Sequence, residues 1–372
     1  MSPRIRVRVA AAFMLAVYAC GGGGTPAPQA GPRRIMLQDL GQLVILPTYE
    51  GLVAEASGLA VAAASLETTP DAATLAGAQD AWRRARAAWK QSEAFAIGPA
   101  ETLRTANRID WSPVRTDRIE TELASGDEIT AAWVEELGTN LKGFLAIEYL
   151  LFDPVGGNDA VLQALQGGDG PRRRAFIRAA SENLRDQTIL LRDAWAPTGG
   201  NFVDKLASAG PGNATFPTVK SAVDKLVNQL IFLAEDVADH QLLVPLGVRN
   251  GGVPRPDLID ANRSGNGMAD VLDNLTGLQN VYFAAYGGRR GQGFSSIVAE
   301  LNPQTDNVLG LAIERSFETA TRISVPLEEA VSDEPELVSR AQVRSKELMQ
   351  RLEVDLVSVL GSTLRFNPSD GD

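Results

Sequence analysis

Apolar residues recur at three- and four-residue intervals along almost the whole of this 372-residue chain, and they almost never alternate with polar residues in steps of two. Such a pattern buries one stripe of a helix and has no use for a sheet face, so the core is expected to be all-α. Helices are expected at 36–66, 71–97, 128–152, 171–195, 216–243, 267–287, 305–324 and 336–361. Local chemistry supports several boundaries: Gly98-Pro99 and Asp153-Pro154 end the second and third, Pro171 suits a first turn, and Gly287-Gly288 closes the sixth. The polar stretches 98–127, 196–215 and 245–266 read as loops, and loops of that length in a compact domain are often functional. The stretch 196–215 is the expected boundary between two packed four-helix-bundle-like domains, 36–200 and 201–372. A short internal echo, Leu141 to Tyr149 against Leu275 to Phe283 with glycine at Gly143 and Gly277, suggests that the two domains arose by duplication.

The first twenty residues indicate a compartment. Arg4, Arg6 and Arg8 precede an apolar run, Ala10 to Ala19, that is too short to span a bilayer as a finished helix. It ends at Ala19-Cys20, which resembles a bacterial lipobox, so 1–20 is expected to be a lipoprotein signal and Cys20 its lipidation site. Gly21–Gly24 and the Pro-rich residues after them suit a flexible tether, 21–35, behind a membrane anchor. No later segment is expected to span a bilayer. Cys20 is the one cysteine, which excludes an intrachain disulfide and a thiolate metal site. With 35 Lys and Arg against 46 Asp and Glu, the chain is acidic, and losing the three signal arginines makes it more so. That balance argues against nucleic acid as a partner and is compatible with cation binding. Resemblance to lipoprotein sorting signals, with Gly21 rather than aspartate after the cysteine, implies an envelope protein held on the outer membrane and facing the periplasm.

Glu148 is the most informative residue for chemistry. It falls within the apolar stripe Leu141, Phe144, Leu145, Leu151 and Phe152, so its carboxylate faces inward and must be protonated, paired or bound to a metal. On the second helix Leu75, Gln79, Trp82, Arg86, Trp89 and Glu93 share a face, which turns Arg86 and Glu93 inward as well. Asp110, in the loop after Gly98-Pro99, is placed to reach the same region, or to cap a turn. An inward Arg–Glu–Glu cluster is either a buried ion network that fixes packing or a polar site for a cation or small ligand, and the residues alone favour the first slightly. The sole histidine, His240, follows Asp236 by four residues near a helix end, a setting more often structural than ligating. The chain has no H-E-x-x-H and no G-x-S-x-G. Its glycine-rich stretch Gly287 to Gly293 lacks the G-K-[ST] of a phosphate loop and reads as a turn.

Taken together these residues resemble the imelysin family. Ala81 to Trp89, Glu93-Ala94-Phe95 and Gly98-Pro99 resemble its first signature, and Lys142 to Phe152 resembles its G-x-H-x-x-E region. Asp273 to Tyr282, Val354 to Gly361 and Asp370 to Asp372 are further similar stretches, so the likeness runs from about Ile45 to the C-terminus. The resemblance implies two helical bundles with a site where they meet, an envelope location and association with an iron-transport system. It implies Glu93, Asp110 and Glu148 as metal ligands, with Arg86, Gly143, Leu145, Gln279 and Tyr282 lining the site. The motif histidine is Leu145 here, which removes the nitrogen ligand that would share a helix face with Glu148. Any remaining site would suit a hard ion such as iron or calcium. The expected function is therefore metal or ligand binding tied to iron uptake. The alternatives are an imelysin-type metallopeptidase and a scaffolding lipoprotein with a purely structural ion network.

Overall fold

The computed structural model describes residues 30–365, so the expected signal 1–20 with Cys20, most of the expected tether 21–35, and the final residues Asp370 to Asp372 lie outside it. The chain forms long helices joined by loops that carry shorter ones. Helices Leu46–Thr68, Ala72–Ser92 and Gly170–Trp195 pack side by side as the first bundle. Helices Val219–Glu235, Gly267–Phe283, Pro303–Ala320 and Pro335–Arg351 form the second. Contacts between Ala72–Ser92 and Gly267–Phe283 join the two. The one β-structure among the described residues is a hairpin pairing Ala285 with Arg290 and Tyr286 with Arg289. Its turn is Gly287-Gly288, both at positive φ, as a two-residue hairpin requires.

Local sequence accounts for most boundaries. Asp71 accepts from the backbone N–H groups of Ala73 and Thr74, while its own N–H donates to the Thr74 hydroxyl, which starts Ala72–Ser92 sharply. Prolines occupy the first turns of Gly170–Trp195, Pro303–Ala320 and Pro335–Arg351. Three helices widen into π turns, at Leu40–Ile45, Asp236–Leu243 and Leu352–Leu356.

Several expectations are corrected. The helix expected at 128–152 is broken into Ala131–Glu136, Thr139–Leu141 and Phe144–Leu151, with glycines at both breaks. Gly143 stands at φ +79, where a side chain would be strained. The stretch 98–127 is no bare loop: it holds Pro99–Thr102, Thr105–Ile109 and Thr116–Ala124. Within the stretch 196–215, the Phe202 ring lies 4.8 Å from Trp195 and 5.8 Å from Phe216. Residues 30–45 pack against helices Phe202–Ala207 and Val219–Glu235, although they precede the first bundle in the chain. The helix 31–68 is in fact long and apolar enough to cross a membrane by length and composition. Its Leu52, Ala56, Leu59, Ala63 and Leu66 are buried against the other two helices of the first bundle, as in a central core helix. The two glycines of the internal echo differ in setting: Gly143 precedes a helix, whereas Gly277 lies inside one.

Candidate functional site

The site is built where the two bundles meet, and glycines permit the approach. A Cβ on Gly277 would collide with the backbone of Gln91, so only glycine lets Gly267–Phe283 lie this close to Ala72–Ser92. A Cβ on Gly143 would likewise strike Ile109, so Gly143 admits the loop segment that carries Asp110. Arg86 lies between these contacts, fully buried. Its Nη1 is 2.7 Å from Asp110 Oδ1, and its Nη2 is 2.7 Å from Asp270 Oδ2. The guanidinium also sits over the rings of Trp82 and Phe144. Burial alone would lower its pKa, but Asp110 and Asp270 outweigh that and hold it well above the ordinary value.

Asp110 is saturated. Its second oxygen accepts from the Trp89 indole at 2.9 Å and lies 3.0 Å from the Lys90 ammonium. Burial favours its neutral form, yet Arg86 and Lys90 win and hold the carboxyl well below the usual range. Lys90, four residues after Arg86 on the same face, also pairs with Glu93 at 3.3 Å. Burial opposes its charge, and Asp110 and Glu93 restore it. Glu93 is less fully compensated: enclosure pushes it up to about 7 despite Lys90, and one oxygen accepts from the Asn274 side chain at 2.7 Å.

Next to this knot lies a cavity of about 410 Å³, lined among others by Trp89, Lys90, Glu93, Asp110, Asp236 and Asp260. A smaller cavity of about 180 Å³ adjoins it, sharing Lys90, Asp236 and Asp260 and reaching His240. Asp236 keeps 44 % of its side chain accessible, so its carboxylate meets the partly open space of the cavity. Burial would raise it, but hydrogen bonding from His240 and the charge of Lys90 bring it below the ordinary range. The same bond raises His240. Asp260 is raised: desolvation outweighs the charges of Lys90 and Arg86 and the hydrogen bond with Ser112, and Asp110 adds to it.

Glu148 is buried as expected, at 2 % exposure, but it faces elsewhere. Its Oε1 accepts from the Ser264 backbone N–H at 2.8 Å and from the Ser264 hydroxyl at 2.7 Å. Desolvation pushes it up to about 7 against those bonds. Glu328 is also pushed up to about 7, by burial and then by Glu148 and Asp270, which outweigh the backbone N–H groups of Glu328 and Gly267 near its carboxylate.

The expected ligand set therefore divides. Asp110 and Glu93 meet through Lys90, while Glu148 is directed at Ser264 and lines neither cavity. The expected Arg–Glu–Glu cluster is instead Arg86 with Asp110 and Asp270. Among the described residues no three His, Cys, Asp or Glu side chains are grouped to hold a metal ion. Leu145 is a buried core residue. Tyr282 is buried too, its hydroxyl donating to Asp306, and Gln279 lines a separate groove with Phe283 and Phe317. Sequence reading missed Lys90, Asp236, Asp260, Ser264, Asp270 and Glu328. Asp270 was findable, since it and Asn274 fall within the stripe of Val271, Leu275, Leu278 and Val281, the same signal that exposed Glu148.

Comparisons with known proteins fit this architecture. A family model described as Imelysin, peptidase M75, matches residues 45–355. An "iron-regulated protein A" of Synechococcus elongatus is 28% identical over 278 residues, which is 74% of this chain and 71% of that protein. The crystal structure of a protein described as an iron-regulated protein A precursor, from Parabacteroides distasonis, superposes with a TM-score of 0.77 at 20% identity, covering 91% of this chain and 97% of that one. An imelysin-like protein from Psychrobacter arcticum gives a TM-score of 0.70 at 16% identity, covering 91% and 98%.

Proposed function

The chain belongs to the imelysin family, and from that premise we propose that it is an envelope-anchored binding protein of an iron-supply route, taking a cationic cargo into the cavity between its bundles. The observation that carries this reading is the cavity, in which Glu93, Asp236 and Asp260 outnumber the one buried cation, Lys90. Carboxylates partly withdrawn from water attract a cation more strongly than fully solvated ones, so a cation entering the cavity recovers electrostatic energy. The Lys90 ammonium already sits among them, 3.0 Å from Asp110 and 3.3 Å from Glu93. A bare ion must compete with it, so Lys90 sets a threshold that weakly charged cargo does not pass. The iron connection comes from the name of the cyanobacterial relative, and the anchor from the N-terminal sequence ending at Cys20.

The test is to titrate iron, calcium and zinc separately into the soluble body while following the melting temperature. Asp236→Asn/Asp260→Asn and Lys90→Met are run beside the parent. A cation that stabilises the parent should lose its effect in the double variant and gain in Lys90→Met. Stabilisation that survives the double variant undiminished would remove the cargo from this cavity. The peptidase alternative gains no support from the geometry: Glu148, the acid its motif supplies, lines neither cavity. Chelator-sensitive cleavage of an unfolded substrate, abolished in Glu148→Gln, would restore it.

A further inference from the structure

Arg104 lines the larger cavity, is exposed there, and makes no side-chain hydrogen bond or ion pair among the described residues. Its backbone is left-handed, φ 51 and ψ 48, between helices Pro99–Thr102 and Thr105–Ile109. Glycine ends a helix in that conformation without strain, whereas an arginine there is disfavoured by its Cβ. Local structure therefore argues against arginine at 104, and packing gives it nothing to hold. The cavity also has two distinct ends. Lys90, Asp236 and Asp260 form the end shared with the smaller cavity, while Glu101, three residues before Arg104 in the chain, is shared with a third cavity near Phe202 and belongs to the other.

We propose that Arg104 is an anion subsite, and that the cavity takes a two-ended ligand whose carboxylate pairs with Arg104 while its cationic centre lies toward Asp236 and Asp260. This rests on the reading of the cavity given above and narrows it: the cargo arrives with an organic carboxylate rather than as a bare ion. A guanidinium is the side chain best shaped for a carboxylate, with two parallel N–H donors. The cationic centre is either a chelated metal ion or an ammonium group, and the experiment separates the two.

Iron(III) citrate and L-lysine serve as two-ended probes, and citrate alone and butylamine as single-ended controls. Binding to the parent, to Arg104→Gly and to Asp236→Asn/Asp260→Asn is measured by calorimetry, and melting is followed without ligand. The expected result is binding by at least one two-ended probe, the identity of which names the cationic centre, with single-ended controls at least tenfold weaker. Arg104→Gly should weaken the two-ended probe by roughly ten- to a hundredfold, the loss of a charge-assisted hydrogen-bond pair. The same variant should melt about 2 °C higher, because glycine relieves the backbone. A purely structural arginine would not raise stability and lower binding together. Equal binding by the parent and Arg104→Gly, with loss in the acidic double variant, overturns the anion subsite and leaves the cavity reading intact. Binding by none of the probes overturns the two-ended ligand, and the bare-ion titration then decides the cavity reading separately.

Discussion

Two groups of buried charge lie near the N-terminal end of helix Gly267–Phe283, and they are solved differently. At Arg86 every charge is matched: one guanidinium meets Asp110 and Asp270, and Asp110 also takes the Trp89 indole and the Lys90 ammonium. At Glu148 and Glu328 two carboxylates influence each other with no cation in direct contact, and both are pushed up to about 7. The first arrangement joins the bundles while charged. The second is comfortable only while protonated, so it converts a change of pH into a change of stability. Burial by itself therefore does not distinguish a structural charge from a responsive one; the number of partners does.

Breaking the matched side should give the largest effect. Asp270→Ala leaves Arg86 buried with half its compensation, and such losses cost about 3–5 kcal/mol. Chemical denaturation at neutral pH measures this, and a cost under about 1 kcal/mol would mean that the clamp contributes little. The unmatched side should respond in the opposite direction. Its carboxyls bind protons more tightly when folded than when unfolded, so their contribution is fully present below about pH 4.5 and is lost as pH rises to about 7. Glu148→Gln, whose amide oxygen can still accept from Ser264, should gain on the order of 2–3 kcal/mol over the parent above pH 7. It should gain nothing near pH 4.5; a parallel offset at every pH would show that Glu148 does not titrate in this window. The smallest effect is expected at Gln279→Ala, within about 0.5 kcal/mol of the parent and without influence on binding in the cavity. A clear loss of binding there would return Gln279 to the site.

The sequence carried much of this because burial leaves a periodic trace. Glu148 and Arg86 were legible as polar residues inside apolar stripes, and Asp110 as an acid in a long loop at the right place. Lys90 escaped because a lysine on an amphipathic helix usually carries its ammonium out to water, although its spacing from Arg86 placed it on the same face. Partner choice was not legible at all. Nothing local says that Arg86 selects Asp270, 184 residues away, over Glu93 on its own helix. Nor did resemblance fix side-chain direction. Gln279 lies two residues beyond Gly277, about 200° of helix rotation, which turns it from the interface to a different groove. The break in the expected helix 128–152 was readable from Gly138 and Gly143, but only the contact of Gly143 with Ile109 explains why the chain breaks there.

The separation of Arg86 from Asp270 has a consequence for biosynthesis. Arg86 and Asp110 leave the ribosome long before Asp270 does. Until the second bundle arrives, the first must hold a guanidinium matched on one side only, with the Gly277 contact surface of Ala72–Ser92 bare. The early half is therefore an interim state that exposes the very face on which the later half docks. The cavity is lined from both halves, so it cannot exist until that face is closed.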